Sequence, residues 1–307
     1  MPDSPTSQAT RIAALKPLKG IRVLSLALNL PGPAALMRCR ELGARCVKLE
    51  PPPPKDAPAN ASGDPMSRYS PSAYAALQAG IRVRAADLKL EAGQRALHRE
   101  LAQADVLLTS FRPSALAKLG LGWKALHKQY PTLSQVAIVG AAGALAEVPG
   151  HDLTYLAEND LVTGLDLPAT LYADMGGSLM AAEAVLQTVI HRATKGKGVY
   201  VEVALSNAAN WLGLPRAWSL TTPGAAVGGG HAGYRVYPCR DGRVAVAALE
   251  PHFAARLCEE ADVDFKPHGM FDPQIHQAIE LFFLNQTRKQ LNSLATKRDI
   301  PLHTLLN

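Results

Sequence analysis

The stretch IRVLSLALNLPGPAALMRCRELGARCVKLE, residues 21–50, decides the fold. Its first eight residues are a β-rich apolar run, LPGP at 30–33 breaks that run, and a helix is predicted over 34–42. Gly43 ends the helix, and RCVKLE at 45–50 is a second short strand. The unit therefore reads as strand–helix–strand with a right-handed crossover, which is how a doubly wound parallel sheet begins.

Downstream the alternation continues. Strands are predicted over 83–88, 105–109, 133–139 and 200–204, and helices over 91–102 and 206–218. A longer helix over 174–194 carries Leu179, Met180, Ala182, Val185, Leu186, Val189 and Ile190 at helical spacing. Asp174 is placed to cap it, and KGKG at 195–198 is a cationic, glycine-ended stop. The prolines at 51–54 and the polar residues that follow read as loop, because consecutive prolines deny the backbone both helical and ladder bonds. The fold class expected is α/β, Rossmann-like and doubly wound, with a mainly parallel sheet and helices on both faces.

The segment TTPGAAVGGGHAG, 221–233, is too glycine-rich for the interior of an element. Beyond it, 234–239 and 243–249 alternate with period two around Asp241 and Gly242, a hairpin signal. Helices predicted over 251–260, 276–284 and 287–297 complete a second, small α+β domain. The expected organisation is a disordered lead over 1–17, a large domain over 18–222 and a small one over 223–307.

Of the 307 residues, 48% are hydrophobic and 19% charged, enough apolar material for a core and too little charge for a disordered chain. Lys and Arg outnumber Asp and Glu by 32 to 26, and the net charge of +6 suits an anionic partner. The basic residues are scattered and not interleaved with stacking aromatics, so a small polyanion is expected and no nucleic acid. The amino-terminal residues lack a signal-peptide pattern and no apolar run reaches bilayer length, so a cytoplasmic location with no membrane contact is expected. Cys39, Cys46, Cys239 and Cys258 form no C-x-x-C pair and read as reduced, buried thiols, with no metal site.

No G-x-G-x-x-G follows the first strand, and Walker, H-E-x-x-H and G-x-S-x-G motifs are absent, which argues against nicotinamide and ATP enzymes. What remains is a set of acids and a histidine beside glycines: PGHD at 149–152, DMGG at 174–177, and Glu250 just after the hairpin. Glycine lets a ligand approach the backbone, and an acid at a helix start sits among free N–H groups that also hold an oxyanion. Those are the requirements of thioester chemistry, although helix capping accounts more simply for any one of these residues alone.

Taken together, LKGIRVLSL (18–26), PGPAA (31–35), ELGARCVKLE (41–50), ADVLLTSFRP (104–113), LGLG (119–122), PGHD, ADMGGS (173–178), GKGVYVEVA (196–204) and ALEPHF (248–253) resemble the family III CoA-transferases, which include the 2-methylacyl-CoA racemases. The resemblance implies a Rossmann-like domain without dinucleotide, a small α/β domain, an acyl-CoA substrate, coenzyme A as the anionic partner, and a homodimer whose chains interlock. In the racemases a histidine and an aspartate stand on opposite faces of the thioester α-carbon, and His151 and Asp174 match them; Glu250 matches an associated acid. In the transferases the aspartate of PG-x-D is a nucleophile that passes through an aspartyl anhydride, and Asp152 matches it. Histidine at 151, where transferases often carry tyrosine, tilts the reading to racemase-like α-proton transfer, because that chemistry needs a group titrating near neutrality.

Several positions depart from the family pattern. QAGI at 78–81 replaces a cationic run that reaches CoA phosphates, and Pro51 replaces an arginine. Arg112 is retained as a CoA contact, with Lys48, Lys55, Arg82 and Arg84 the cations left to take the missing places, and backbone N–H groups near Gly176 and the helix start are expected to hold the enolate oxygen. The stretch after residue 139 is reduced to GAAGA, the glycines at 228–230 resemble a loop that shields acyl intermediates, and family members generally continue beyond the point where this chain stops. A degenerate, non-catalytic CoA-binding homologue is the third reading these losses leave open.

Overall fold

Along β1 (Arg22–Ser25) Val23 packs into one hydrophobic cluster and Leu24 into another, and in β4 (Val106–Thr109) Val106 and Leu108 join the first while Leu107 joins the second. Period-two alternation between two apolar faces is what a strand buried on both sides requires. The computed structural model describes residues 15–56, 61–266 and 268–306; most of the expected lead over 1–17 lies outside the described residues. The chain divides into two units, Met1–Leu212 and Gly213–Asn307.

In the first unit, β1, α1 (Pro31–Glu41), β2 (Arg45–Glu50), α2 (Met66–Tyr69), α3 (Pro71–Gln78), β3 (Arg82–Ala85), α4 (Glu91–Leu101), β4, α5 (Pro113–Lys118), α6 (Trp123–Gln129), β5 (Ser134–Val139), α7 (Asp152–Glu158), α8 (Tyr172–Lys195) and β6 (Tyr200–Ala204) follow in order. The strands form one sheet, β3-β2-β1-β4-β5-β6, parallel at every pairing. This is the doubly wound order, whose direction of winding reverses between β1 and β4. One face carries Leu36 of α1, Leu156 of α7 and Val185 of α8, the other Leu97 of α4, Leu116 of α5 and Leu126 of α6.

α1 begins at Pro31, three residues earlier than the sequence suggests, because proline is tolerated in a first helical turn. α8 likewise starts at Tyr172, which moves Asp174 from the expected cap into the first turn, and it ends on Gly196 at φ +69°, the left-handed cap that KGKG implied. α2 and α3 were not anticipated.

α9 (Leu205–Ala217) runs across the division, which falls ahead of the boundary expected at 222/223. The second unit has β7 (Tyr234–Cys239), β8 (Gly242–Ala247), α10 (Pro251–Glu260), α11 (Pro273–Leu284), α12 (Arg288–Arg298) and β9 (Leu302–Leu305). β7 and β8 form the hairpin about Asp241 and Gly242, and β9 adds an unanticipated third antiparallel strand. Tyr237, Val246, Leu257, Ile279, Phe283 and Leu291 make its core. All four cysteines are free and buried; burial pushes the thiols of Cys39 and Cys46 up to about 12. No helix among the described residues is long and apolar enough to cross a membrane.

Candidate active site

At the carboxyl ends of β1, β4 and β5, where the winding reverses, the first unit encloses a cavity of about 830 Å³. This is where open α/β sheets receive ligands, and the volume is within the range of small-molecule sites. Its walls come from residues 28–31, from α2 and the start of α3, from residues 110–112 and 138–140, and from the segment containing Gly150, His151 and Asp152. Asp174 and Leu205 close it.

His151 takes an extended conformation as the residue before α7, with its ring exposed. Thr154 Oγ1 accepts the His151 N–H at 3.1 Å and donates to its carbonyl at 2.8 Å, so the helix start is held through backbone groups. Asp152, only 5% exposed, does not cap its own helix: its Oδ1 accepts the backbone N–H of Asp174 at 2.9 Å, in the first turn of α8. A carboxylate at a helix start is stabilised by the unpaired N–H groups there. Asp152 thereby ties α7 to α8 and brings Asp174 beside the histidine.

Asp174 is half-buried. Burial first and the Asp152 charge second raise its carboxyl to about 6, against His151, which lowers it. Three of the residues named from the sequence thus share one cavity wall and feel each other's charge. Arg112, at the end of β4 and before α5, also lines the cavity and forms no ion pair among the described residues. Glu147, nearby, is held below its usual value by Ser114, whose N–H and hydroxyl both donate to it, and then by Arg112 and Lys118.

Lys48, Arg82, Arg84 and Gly176, in the same unit, do not line the cavity. Lys48 does not reach the cavity: it is 0% exposed, and its Nζ is turned inward onto Asp64 at 2.5 Å and Glu50 at 3.2 Å. Arg82 and Arg84 are exposed on the edge strand β3, and Arg84 pairs with Glu100 at 3.1 Å. Gly176 lies inside α8, where its N–H belongs to the helical ladder and cannot serve an oxyanion; a Cβ there would meet Leu212 at 3.0 Å. Gly177 is tighter still, 2.3 Å from Leu205 Cδ2. The two glycines let α8 and α9 approach. Glu250 belongs to the second unit, where it is exposed and its carbonyl accepts from Phe253 and Ala254 at the start of α10.

Tyr155 was missed. Its hydroxyl is packed between Gly140 and Gly150, where added Cβ atoms would lie 2.2 and 2.6 Å away, and burial followed by the Asp174 charge raises its pKa. Glycines on either side of the cavity were the signal for a close-packed ring. No cluster of three or more His, Cys, Asp or Glu suited to a metal occurs among the described residues.

A doubly wound sheet whose switch point is faced by a histidine and two aspartates at the starts of α7 and α8 is a scaffold for acid–base or nucleophilic chemistry. The chain belongs to CoA-transferase family III, whose family model matches residues 18–307. It is 30% identical over 254 residues to alpha-methylacyl-CoA racemase of Homo sapiens, covering 77% of this chain and 62% of that protein. It is also 30% identical over 202 residues to cinnamoyl-CoA:phenyllactate CoA-transferase of Clostridium sporogenes, covering 62% and 49% respectively. The chain thus spans about half to two thirds of the length of these relatives. In fold it matches a hypothetical protein from Mycobacterium tuberculosis with a TM-score of 0.77 at 23% identity, covering 95% of this chain and 86% of that one. A CAIB/BAIF family protein from Brucella suis gives 0.75 at 22%, covering 95% and 84%.

Proposed function

We propose that the protein is an acyl-CoA enzyme that moves the α-proton of a 2-methylacyl-CoA thioester, racemase-like, with His151 and Asp174 as the two proton carriers. The observation that carries this reading is Asp174, a carboxyl raised to about 6 by burial and by Asp152, on the same cavity as the histidine. A general acid–base group works best with a pKa near the working pH, and such a carboxyl both accepts and returns a proton there. One of the pair takes the α-proton, leaving an enolate, and the other delivers a proton to the opposite face. Tyr155, whose raised pKa keeps it protonated, is the neutral donor for the developing oxygen. Arg112 serves the anionic part of coenzyme A.

A second reading rests on Asp152. It lines the cavity with one oxygen held by the Asp174 N–H. Attack of its other oxygen on the thioester carbonyl would form an aspartyl anhydride and release the CoA thiolate, as the transferase resemblance implies. Both readings keep the homodimer implied by the resemblance and the cytoplasmic location expected from the sequence, which light scattering and fractionation would check.

The test is deuterium wash-in at the α-carbon of 2-methylacyl-CoA in D2O. Exchange by the wild type and none by His151→Ala or Asp174→Asn is expected. Absence of exchange with every branched acyl-CoA tried would refute proton transfer, and hydroxylamine trapping at Asp152 would move the assignment to CoA transfer. Binding without either reaction would identify a non-catalytic CoA-binding homologue.

A further inference from the structure

We propose that Lys48 and Asp64 are positioning residues that hold two walls of the cavity, the turn containing Asn29 and the start of α2, in one arrangement. This rests on the reading of the cavity as the thioester site. Both side chains are 0% exposed, and Lys48 Nζ meets Asp64 Oδ2 at 2.5 Å. The other oxygen of Asp64 accepts two backbone N–H groups, Asn29 at 3.1 Å and Met66 at 3.0 Å. Both of those residues line the cavity. Asn29 stands at φ +64°, a left-handed conformation that a side-chain-bearing residue keeps only when its surroundings hold it there. Glu50 Oε2, 3.2 Å from the lysine, accepts the Tyr74 hydroxyl, joining α3 to the same network.

A wholly buried ion pair adds little net stability, since desolvation of both ions offsets their attraction; what it does is fix the groups it touches. Here those groups are a turn and a helix of four residues, neither rigid by itself. The lysine expected to meet CoA therefore acts on the ligand from inside, through Asp64.

The chemistry of one atom supplies the test. An amide has a single acceptor oxygen, so Asp64→Asn serves either the ammonium or the two backbone N–H groups, and not both. The expected result is that amide hydrogen exchange at Asn29 and Met66 accelerates about tenfold while Leu107 and Val136 are unchanged, and isobutyryl-CoA binds about tenfold more weakly by calorimetry. In Lys48→Met/Asp64→Asn the ammonium no longer competes for that oxygen, so both effects are expected to be largely reversed. A purely structural role would make the double variant worse. Unchanged exchange at the two amides, or accelerated exchange with wild-type affinity, would overturn the proposal. If Asp64→Asn does not fold, Ser62→Ala carries the test: it removes the acceptor of the Asp64 N–H, 2.9 Å away, together with the Ser62 bond to Tyr74, and leaves the Asp64 carboxylate in place; about threefold effects at the same amides and on binding are expected. No change in Ser62→Ala would then count against the proposal. A wild type that binds no acyl-CoA would refute the functional reading, and the positioning role would then stand or fall on amide exchange alone.

Discussion

Replacing Asp174 with asparagine should make the folded protein more stable at pH 8 and inactive at the same time. The carboxyl moves from 3.8 to about 6 on folding, chiefly because burial disfavours its charged form and secondarily because Asp152 faces it. That difference corresponds to about 3 kcal/mol, reduced to about 2 kcal/mol by solvent at the cavity mouth. A folded value above the unfolded one means that the fold prefers the neutral acid. Its favourable contribution is complete below about pH 4 and is lost as the pH rises through about 6. Asparagine is neutral throughout and leaves the backbone N–H of residue 174 free to bond Asp152, so Asp174→Asn keeps at pH 8 what the wild type has lost. Urea unfolding at pH 8 and at pH 4 measures the difference through the shift in midpoint at constant slope. A variant no more stable than wild type at pH 8, or an advantage that persists undiminished at pH 4, would refute the reasoning. Such a gain beside lost activity is the usual mark of a residue kept for chemistry.

If Asp174 acts as a base, kcat/KM for α-proton exchange should rise through a limb near pH 6, and a profile flat from pH 5 to 8 would exclude it. Gly140→Ala places a Cβ 2.2 Å from the Tyr155 hydroxyl and should lower both melting temperature and exchange rate; adding Tyr155→Phe should recover the melting temperature but not the rate. Gly177→Ala, at 2.3 Å from Leu205 Cδ2, should cost about 1–3 kcal/mol in chemical denaturation, relieved by Leu205→Ala. Arg112→Ala should raise KM for acyl-CoA at unchanged melting temperature, since the guanidinium has no ion-pair partner among the described residues.

What could be read from residues 21–50 was the part governed by local pattern. Apolar alternation marked β1 and β2, Gly43 marked the helix end, and the doubly wound order followed from repetition. β9 escaped because four residues, LHTL, carry no periodicity of their own and become a strand only by pairing with β8. At the site, the residue types of PGHD and DMGG were legible, but their division of labour was not. That Asp152 binds the start of a different helix, that the DMGG glycines are set by the packing of Leu205 and Leu212, and that Lys48 turns inward onto Asp64 are all long-range facts. A cation left to take the place of a missing CoA contact is indistinguishable, in sequence, from one enclosed by a loop sixteen positions later.

The start of α1 explains why the site took the form it has. In a dinucleotide fold the pyrophosphate lies on the free N–H groups of the helix after the first strand. Here that turn is Pro31, Gly32 and Pro33, and prolines have no N–H to offer; the Ala34 N–H is already bonded to Leu30. Gly32 does not open the turn to a ligand either: a Cβ there would lie 2.1 Å from Ala27 Cβ, so the glycine serves the close approach of α1 to the exit of β1. A switch point stripped of its anion cradle leaves a cavity without compensating N–H dipoles along that wall. On the half-buried Asp174 the opposing charge of His151 is outweighed by burial and by the Asp152 charge, and its carboxyl is driven toward neutrality. The proline turn that withholds N–H groups at α1 thus leaves the groups of the proposed mechanism to the starts of α7 and α8.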